Sequence, residues 1–205
     1  MSLPSLRGIL TGLLKDLETT KDNLEDGALE TDVSAQASSL PIELLSQTAQ
    51  TALLSFHQIY PHLLLSSLDL LDNALVTRYV VPSTIKDGVH VNSSIYYVRS
   101  AQSRSSRYGT QMSRAVYEVR PISWHCTCPS FTFSAFSSRN SFDPFAAGEE
   151  DYPGSDRWGG EMRGEQLAIC KHLLAVLIGE RIGLIPRKEV DMNTMAGYAF
   201  GDANS

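Results

Sequence analysis

The chain has 205 residues, 17 basic against 23 acidic side chains and a formal net charge of −6, which argues against a dedicated binder of a phosphate backbone. Its 42% apolar share is ample for the core of one domain with appendages. No apolar run approaches the ~18 residues that a membrane span needs, and no charged-then-apolar signal opens the chain.

The charge is unevenly placed. The first fifty residues carry eight acids against three bases, whereas residues 86–140 carry seven bases against Asp87 and Glu118. Those bases are Lys86, Arg99, Arg104, Arg107, Arg114, Arg120 and Arg139.

In chain order, Leu3, Leu6, Leu10, Leu13 and Leu17 follow a three-four spacing that predicts an amphipathic helix over 1–19, with Leu14 beside the stripe. Residues 20–40 read as an acidic linker. A helical region follows over 41–74: Ile42, Leu45, Ala49, Ala52, Leu53, Phe56 and Tyr60 mark one helix. Pro61 breaks it or starts the next, which carries Leu64, Leu65, Leu68 and Leu71.

Residues 75–182 read as one unit. Strands are predicted over 75–82, 95–98 and 115–120, an antiparallel meander with an arginine-bearing loop at 103–109. The third strand leads to Cys126-Thr127-Cys128, whose cysteines share a face if the strand runs on past Pro121. Pro129 then suits the first position of a short helix over 130–136.

Residues 137–165 are rich in Gly, Ser and acids and are expected to form a disordered surface insert. Phe142, Phe145, Tyr152 and Trp158 within it are idle or form a binding motif. Beyond it stands Cys170-Lys171-His172, whose side chains converge only in the first turn of a helix. That helix carries Leu173, Leu174, Leu177, Ile178 and Ile182, and Gly183 and Pro186 stop it. The remaining 183–205 reads as a flexible tail, in which Met192, Met195, Tyr198 and Phe200 are candidates to dock on a partner.

All three cysteines of the chain fall in this pattern, and His172 completes a set of three thiolates and one imidazole. Such a set closes a tetrahedral zinc site and leaves no position for a substrate, so Cys126, Cys128, Cys170 and His172 are read as ligands of one structural zinc ion. The competing readings are small buried cysteines or a Cys-x-Cys redox pair. His125 faces away from Cys126 on a strand, and His57, His62 and His90 lack partners at metal spacing, so none of these is read as a ligand. Thiols used as metal ligands fit a reducing compartment.

Cys126-x-Cys128 … Cys170-x-His172, with Cys-Pro-Ser-Phe at 128–131 and Cys-Lys-His-Leu-Leu-Ala-Val at 170–176, resembles the SWIM zinc-finger pattern over about residues 114–182. The extended pattern places an alanine three residues after the histidine, here Ala175, where a small side chain lets the helix pack closely on a neighbour. The spacer is much longer than in compact members. A small chain with helices before the finger is similar to the SWIM-domain subunits of Shu complexes. The resemblance implies an α+β fold: N-terminal helices, a small antiparallel β-meander and a zinc-bound SWIM finger ending in a helix.

It also implies a nuclear, non-catalytic adaptor that binds a RecA-like recombinase paralogue in a heteromeric complex and promotes homologous recombination and DNA repair. DNA would be reached through that partner, with no membrane and no small-molecule substrate involved. Phe131, Phe133 and Phe136 are candidates for the docking surface or, alternatively, for the small core around the metal. Two other readings stand: a zinc finger binding DNA directly through Arg99, Arg104, Arg107, Arg114 and Arg120, and a SWIM adaptor for ubiquitin-ligase or chromatin complexes. No enzyme is expected, since phosphate-loop and His-Glu-x-x-His motifs are missing and Glu149, Glu150 and Asp151 read as a solvated run.

Overall fold

The computed structural model describes residues 6–18, 45–81, 94–104, 113–135 and 167–199. The acidic linker, the insert with its four aromatics, residues 105–109 of the expected arginine-bearing loop and His90 lie outside them, whereas Ser103 and Arg104 of that loop belong to a paired strand.

The first helix, α1 (Leu6–Glu18), buries Leu10, Leu14 and Leu17 at 0–1% exposure. Leu14 therefore stands at the centre of the apolar stripe and Leu13 on its flank, the reverse of the expected order. The three-four spacing 10, 14, 17 satisfies the helical repeat, and Leu13 lies about 100° away from Leu14.

In α2 (Gln47–Ile59) the Ser46 hydroxyl accepts from the Ala49 amide at 3.2 Å, an N-cap that satisfies one free helix donor. Ala49, Ala52, Leu53 and Phe56 form its buried face. Pro61 opens α3 (Pro61–Asp72) rather than merely ending α2, because a first-turn position needs no amide donor. This helix buries Leu64, Ser67, Leu70 and Leu71 and leaves Leu65 62% exposed. The expected Leu64-Leu65-Leu68-Leu71 face is thus rotated: apolar counting prefers Leu65 to Ser67, yet the Ser67 hydroxyl satisfies itself on backbone carbonyls.

Five strands form one sheet among the described residues: β1 (Val76–Val80), β2 (Ser94–Arg104), β3 (Ser113–Arg120), β4 (His125–Cys126) and β5 (Arg187–Glu189). Their order is β4-β3-β2-β1-β5. The predicted meander is present as antiparallel β1–β2–β3, with Val76 opposite Val98 and Val98 opposite Tyr117. β4 extends it, and β5 adds a parallel strand on β1 that the sequence reading lacks.

Two helices adjoin the metal residues, α4 (Pro129–Ala135) and α5 (Lys171–Ile182). The second is buried nearly all round: Leu173, Leu174, Ala175, Val176 and Ile178 are each 0% exposed. It packs on α1, on α3 and on the sheet edge, and that central position explains an apolar pattern wider than one stripe. Gly183 ends it at φ 74°, where a side chain would be strained.

The segment after 183 departs from the expected flexible tail. The Arg78 amide donates to Pro186 and the Val190 amide to Val80, each at 3.0 Å, which fastens β5 to β1. Arg78 also pairs with Glu180 at 3.1 Å. A further helix, α6 (Met192–Ala199), places Met195 at 7% exposure and Met192 at 66%. Exposed charged strands such as Arg187–Glu189 carry little apolar signal, so backbone pairing rather than burial holds this one. No helix among the described residues is long and apolar enough to cross a membrane.

Candidate metal centre

The polypeptide reaches the centre by a hairpin rather than by one continuous strand. β3 ends at Arg120, the chain turns over 121–124, and β4 returns antiparallel with Cys126 opposite Val119. Pro121 lacks an amide to continue a ladder, which favours the turn. Thr127 prolongs the pairing: its amide donates to the Glu118 carbonyl at 3.0 Å, and its hydroxyl accepts from the Glu118 amide at 2.9 Å. Cys126 and Cys128 flank that anchored residue.

Cys128 and Cys170 occupy equivalent places before two different helices. The Phe131 amide donates to Cys128 Sγ at 3.3 Å and the Leu173 amide to Cys170 Sγ at 3.4 Å, so each sulfur caps a first turn. His172, one residue inside α5, brings its ring to the same point. All four ligand atoms lie within 4.8 Å of one another, and all four residues are buried. Zinc–thiolate bonds of about 2.3 Å place tetrahedral ligand atoms about 4 Å apart, so the cluster has the dimensions for one such ion.

The donor chemistry fits a cation independently of the spacing. Among the described residues, both ring nitrogens of His172 are buried without a hydrogen-bond partner, an arrangement that costs about 1–3 kcal/mol per orphaned group unless something binds it. The ring lies 4.6 Å from that of Tyr117, which fixes its orientation. Among the thiols, hydrogen bonds from Cys126 and then Cys170 hold Cys128 far below the usual thiol range. Hydrogen bonds with Cys128 and then Cys170, together with burial, push Cys126 far above it. Cys170 is pushed up to about 12: a hydrogen bond with Cys126 lowers it, but that with Cys128 and burial outweigh this. Thiolates this close disfavour one another's ionisation, and a divalent cation between them would offset that repulsion.

The other expected site residues are scattered. Phe131 is 5% exposed in the core beside Cys128, which corrects its candidacy as docking surface and fits the alternative of a small core around the metal. Phe133 is 77% exposed, and Phe136 lies outside the described residues. Ala175 is fully buried one turn after His172. His125 is exposed, with its ring 5.8 Å from that of Phe131. Arg99 is exposed on β2 and donates to the Ala74 carbonyl at 3.4 Å. Arg104 and Arg114 stand at the paired far ends of β2 and β3, opposite Ser113 and Ser103, and Arg107 lies outside the described residues. The register sets Arg120 opposite His125, next to Cys126, whereas Arg99 stands opposite Val116 farther along β3.

Sequence reasoning missed three residues that shape the centre. Trp124, 1% exposed, donates its Nε1–H to the Ala168 carbonyl at 2.7 Å. Ser67 bonds the Lys171 carbonyl at 2.9 Å. Gly179 faces Leu71 with no room for a side chain, since an added Cβ would lie 2.6 Å from Leu71 Cδ2. An aromatic two positions before the first ligand was the only available signal for Trp124.

Over 56 residues the chain is 38% identical to the Zinc finger SWIM domain-containing protein sws1 of Schizosaccharomyces pombe (strain 972 / ATCC 24843). The chain resembles a SWIM-type zinc-finger protein. The match covers 27% of this chain and 24% of that relative, so it spans about a quarter of the relative's length. No family model matches the chain. The SWIM-like resemblance and the buried Cys3His cluster thus agree, one from sequence and the other from geometry.

Proposed function

We propose that this protein is a non-catalytic nuclear adaptor, stabilised by one structural zinc ion, that docks a RecA-like recombinase paralogue and promotes homologous recombination. The carrying observation is the buried cluster of Cys126, Cys128, Cys170 and His172, with an imidazole whose two nitrogens have no hydrogen-bond partner among the described residues. Four protein ligands would saturate a tetrahedral zinc ion, which favours structure over catalysis. The choice of partner rests on the resemblance to SWIM-domain subunits of Shu complexes, and DNA is reached through that partner.

Zinc here would cross-link β4 to the start of α5 and so fix α4, which presents Phe133 at 77% exposure. Exposed aromatics on a rigid element are the usual anchors of an interface. Affinity purification with mass-spectrometric identification of partners tests this on the native chain, Cys128→Ser and Phe133→Glu. Phe133→Glu is expected to keep its zinc and its melting temperature but lose partner capture by about tenfold or more. A RecA-like paralogue that is captured equally well by a metal-free, soluble Cys128→Ser protein sinks the zinc-built surface. Ubiquitin-ligase or chromatin components in its place overturn the assignment to recombination.

One observation favours a second reading, direct contact with single-stranded DNA. The strand register lines up Arg120 with His125, and Tyr79 with Ile95 and Lys188, on one face of the sheet. Lys188 lies 5.6 Å from the Tyr79 ring centre, and Arg99, Arg120 and Lys188 are exposed. On this reading the isolated chain binds an oligothymidylate with an affinity that falls steeply with salt. The double variant Arg99→Glu, Lys188→Glu then weakens binding and flattens the salt slope by about 1–2, as read by fluorescence anisotropy. No binding at low salt removes it.

A further inference from the structure

The two halves of the metal centre are 42 positions apart at their nearest ligands, Cys128 and Cys170, and belong to different structural elements. An ion that had to draw in the second pair alone would bear the whole ordering cost of that segment, about 1–2 kcal/mol for each backbone residue fixed. The described structure contains two contacts that act on the segment and use no ligand atom.

One is the buried hydrogen bond from Trp124 Nε1 to the Ala168 carbonyl, 2.7 Å long. Its placement is matched on both sides: Trp124 stands two residues before Cys126, and Ala168 two residues before Cys170. In extended chain two residues span about 6.5–7 Å, so joining these two points brings the first sulfur of each pair into the same region. Trp124 adopts φ 48°, a left-handed conformation that costs a non-glycine residue about 1–2 kcal/mol. The turn nonetheless keeps it there, with the indole 1% exposed, and the strain is offset by burying a large ring and satisfying its N–H.

The other contact comes from the opposite side. Ser67 of α3, 0% exposed, places its hydroxyl 2.9 Å from the carbonyl of Lys171, the residue between Cys170 and His172. The same oxygen lies 2.7 Å from the Leu63 carbonyl, so its single proton serves one of the two at a time. Apart from the cysteines, Tyr96, Tyr97 and Trp124, Ser67 and His172 are the only buried residues with a polar or charged side chain among those described. One is a ligand and the other touches the backbone between two ligands.

We propose that Trp124 and Ser67 are positioning residues that hold Ala168–His172 in place before the metal binds, so that the Cys3His site is assembled in the metal-free chain. The inference rests on the zinc reading above and adds how the two ligand pairs are brought together despite a long spacer. A site populated only in a fraction of metal-free molecules binds with its affinity reduced by that fraction. Together with the burial of Ala168, Ile169 and α5, the two contacts keep the fraction near one; removing either lets Ala168–His172 fray more often in the metal-free state, whereas bound metal would hold it closed.

The test compares the full-length native chain with Trp124→Phe, which keeps a ring but loses the N–H, and Ser67→Ala. Zinc affinity is read by competition with a chromogenic chelator. We expect about tenfold weaker zinc binding in Trp124→Phe and about threefold in Ser67→Ala, with cobalt-loaded forms keeping the absorption of a tetrahedral three-sulfur site. Hydrogen exchange of the Leu173 and Leu174 amides in the metal-free proteins should be slower in the native chain than in either variant.

A purely structural role lowers the stability of metal-free and metal-loaded chains equally and leaves zinc affinity unchanged in both variants; that result overturns the proposal. So do unprotected Leu173 and Leu174 amides in the native metal-free chain. If Trp124→Phe fails to fold, the milder Ser67→Ala carries the same comparison. A native chain that binds no zinc ends the zinc reading itself, a failure distinct from zinc held equally well by all three.

Discussion

Cys128→Ser is expected to lower zinc affinity by about 10²–10³-fold and to bring the melting temperature down to that of the chelator-treated native chain. Structural zinc sites contribute about 10–16 kcal/mol, which shared among four ligands is about 2.5–4 kcal/mol for each, or about 10²–10³ in affinity. The substitution isolates the metal because it leaves the local cap in place. Cys128 Sγ accepts from the Phe131 amide at 3.3 Å, and a serine hydroxyl is a good acceptor at that position. The start of α4 therefore survives while the thiolate is lost. Metal analysis after dialysis against a chelator, with thermal unfolding alongside, provides the check. Full zinc retention with an unchanged melting temperature would mean that Cys128 is not a ligand.

Gly179→Leu is expected to destabilise the chain by about 2–3 kcal/mol, the upper range for overpacking a filled core. Helix propensity alone points the other way, since glycine within a helix is about 1 kcal/mol worse than alanine. Packing wins here because an added Cβ meets Leu71 Cδ2 at 2.6 Å and Ile185 Cγ1 at 2.8 Å. Both are side-chain atoms that can shift by a few tenths of an ångström, so Gly179→Ala should cost much less than Gly179→Leu. Three further carbons have nowhere to go. Separating α3 from α5 would also draw Ser67 away from Lys171, so zinc affinity should fall together with stability. Urea midpoints of the two variants give the comparison, and a Gly179→Leu chain as stable as the native one would refute close packing at this position.

How much was legible in advance depended on the kind of interaction. The ligand set was legible because zinc chemistry needs particular residue types at particular spacings, and all three cysteines and one histidine met that need together. The helices were legible because Leu10 and Leu17, or Ala49, Ala52, Leu53 and Phe56, recur at the helical period. Within them, hydrophobicity alone misjudged the face. Leu65 points to solvent and Ser67 inward, a choice made by the carbonyls of Leu63 and Lys171. β5 was illegible since Arg187, Lys188 and Glu189 are all exposed and the strand exists through backbone pairing with β1.

The sequence by itself determined which atoms can bind a metal and which segments bury an apolar face, because donor identity and side-chain period are local properties of the chain. Only the tertiary structure decided that the ligands meet. Cys126 arrives on a returning hairpin, Cys170 and His172 come from beyond the spacer, and Trp124 and Ser67 touch carbonyls 44 and 104 positions away. It also decided that Phe131 is core while Phe133 is surface. Contacts of that separation depend on how elements pack in three dimensions, and no local period or propensity encodes them.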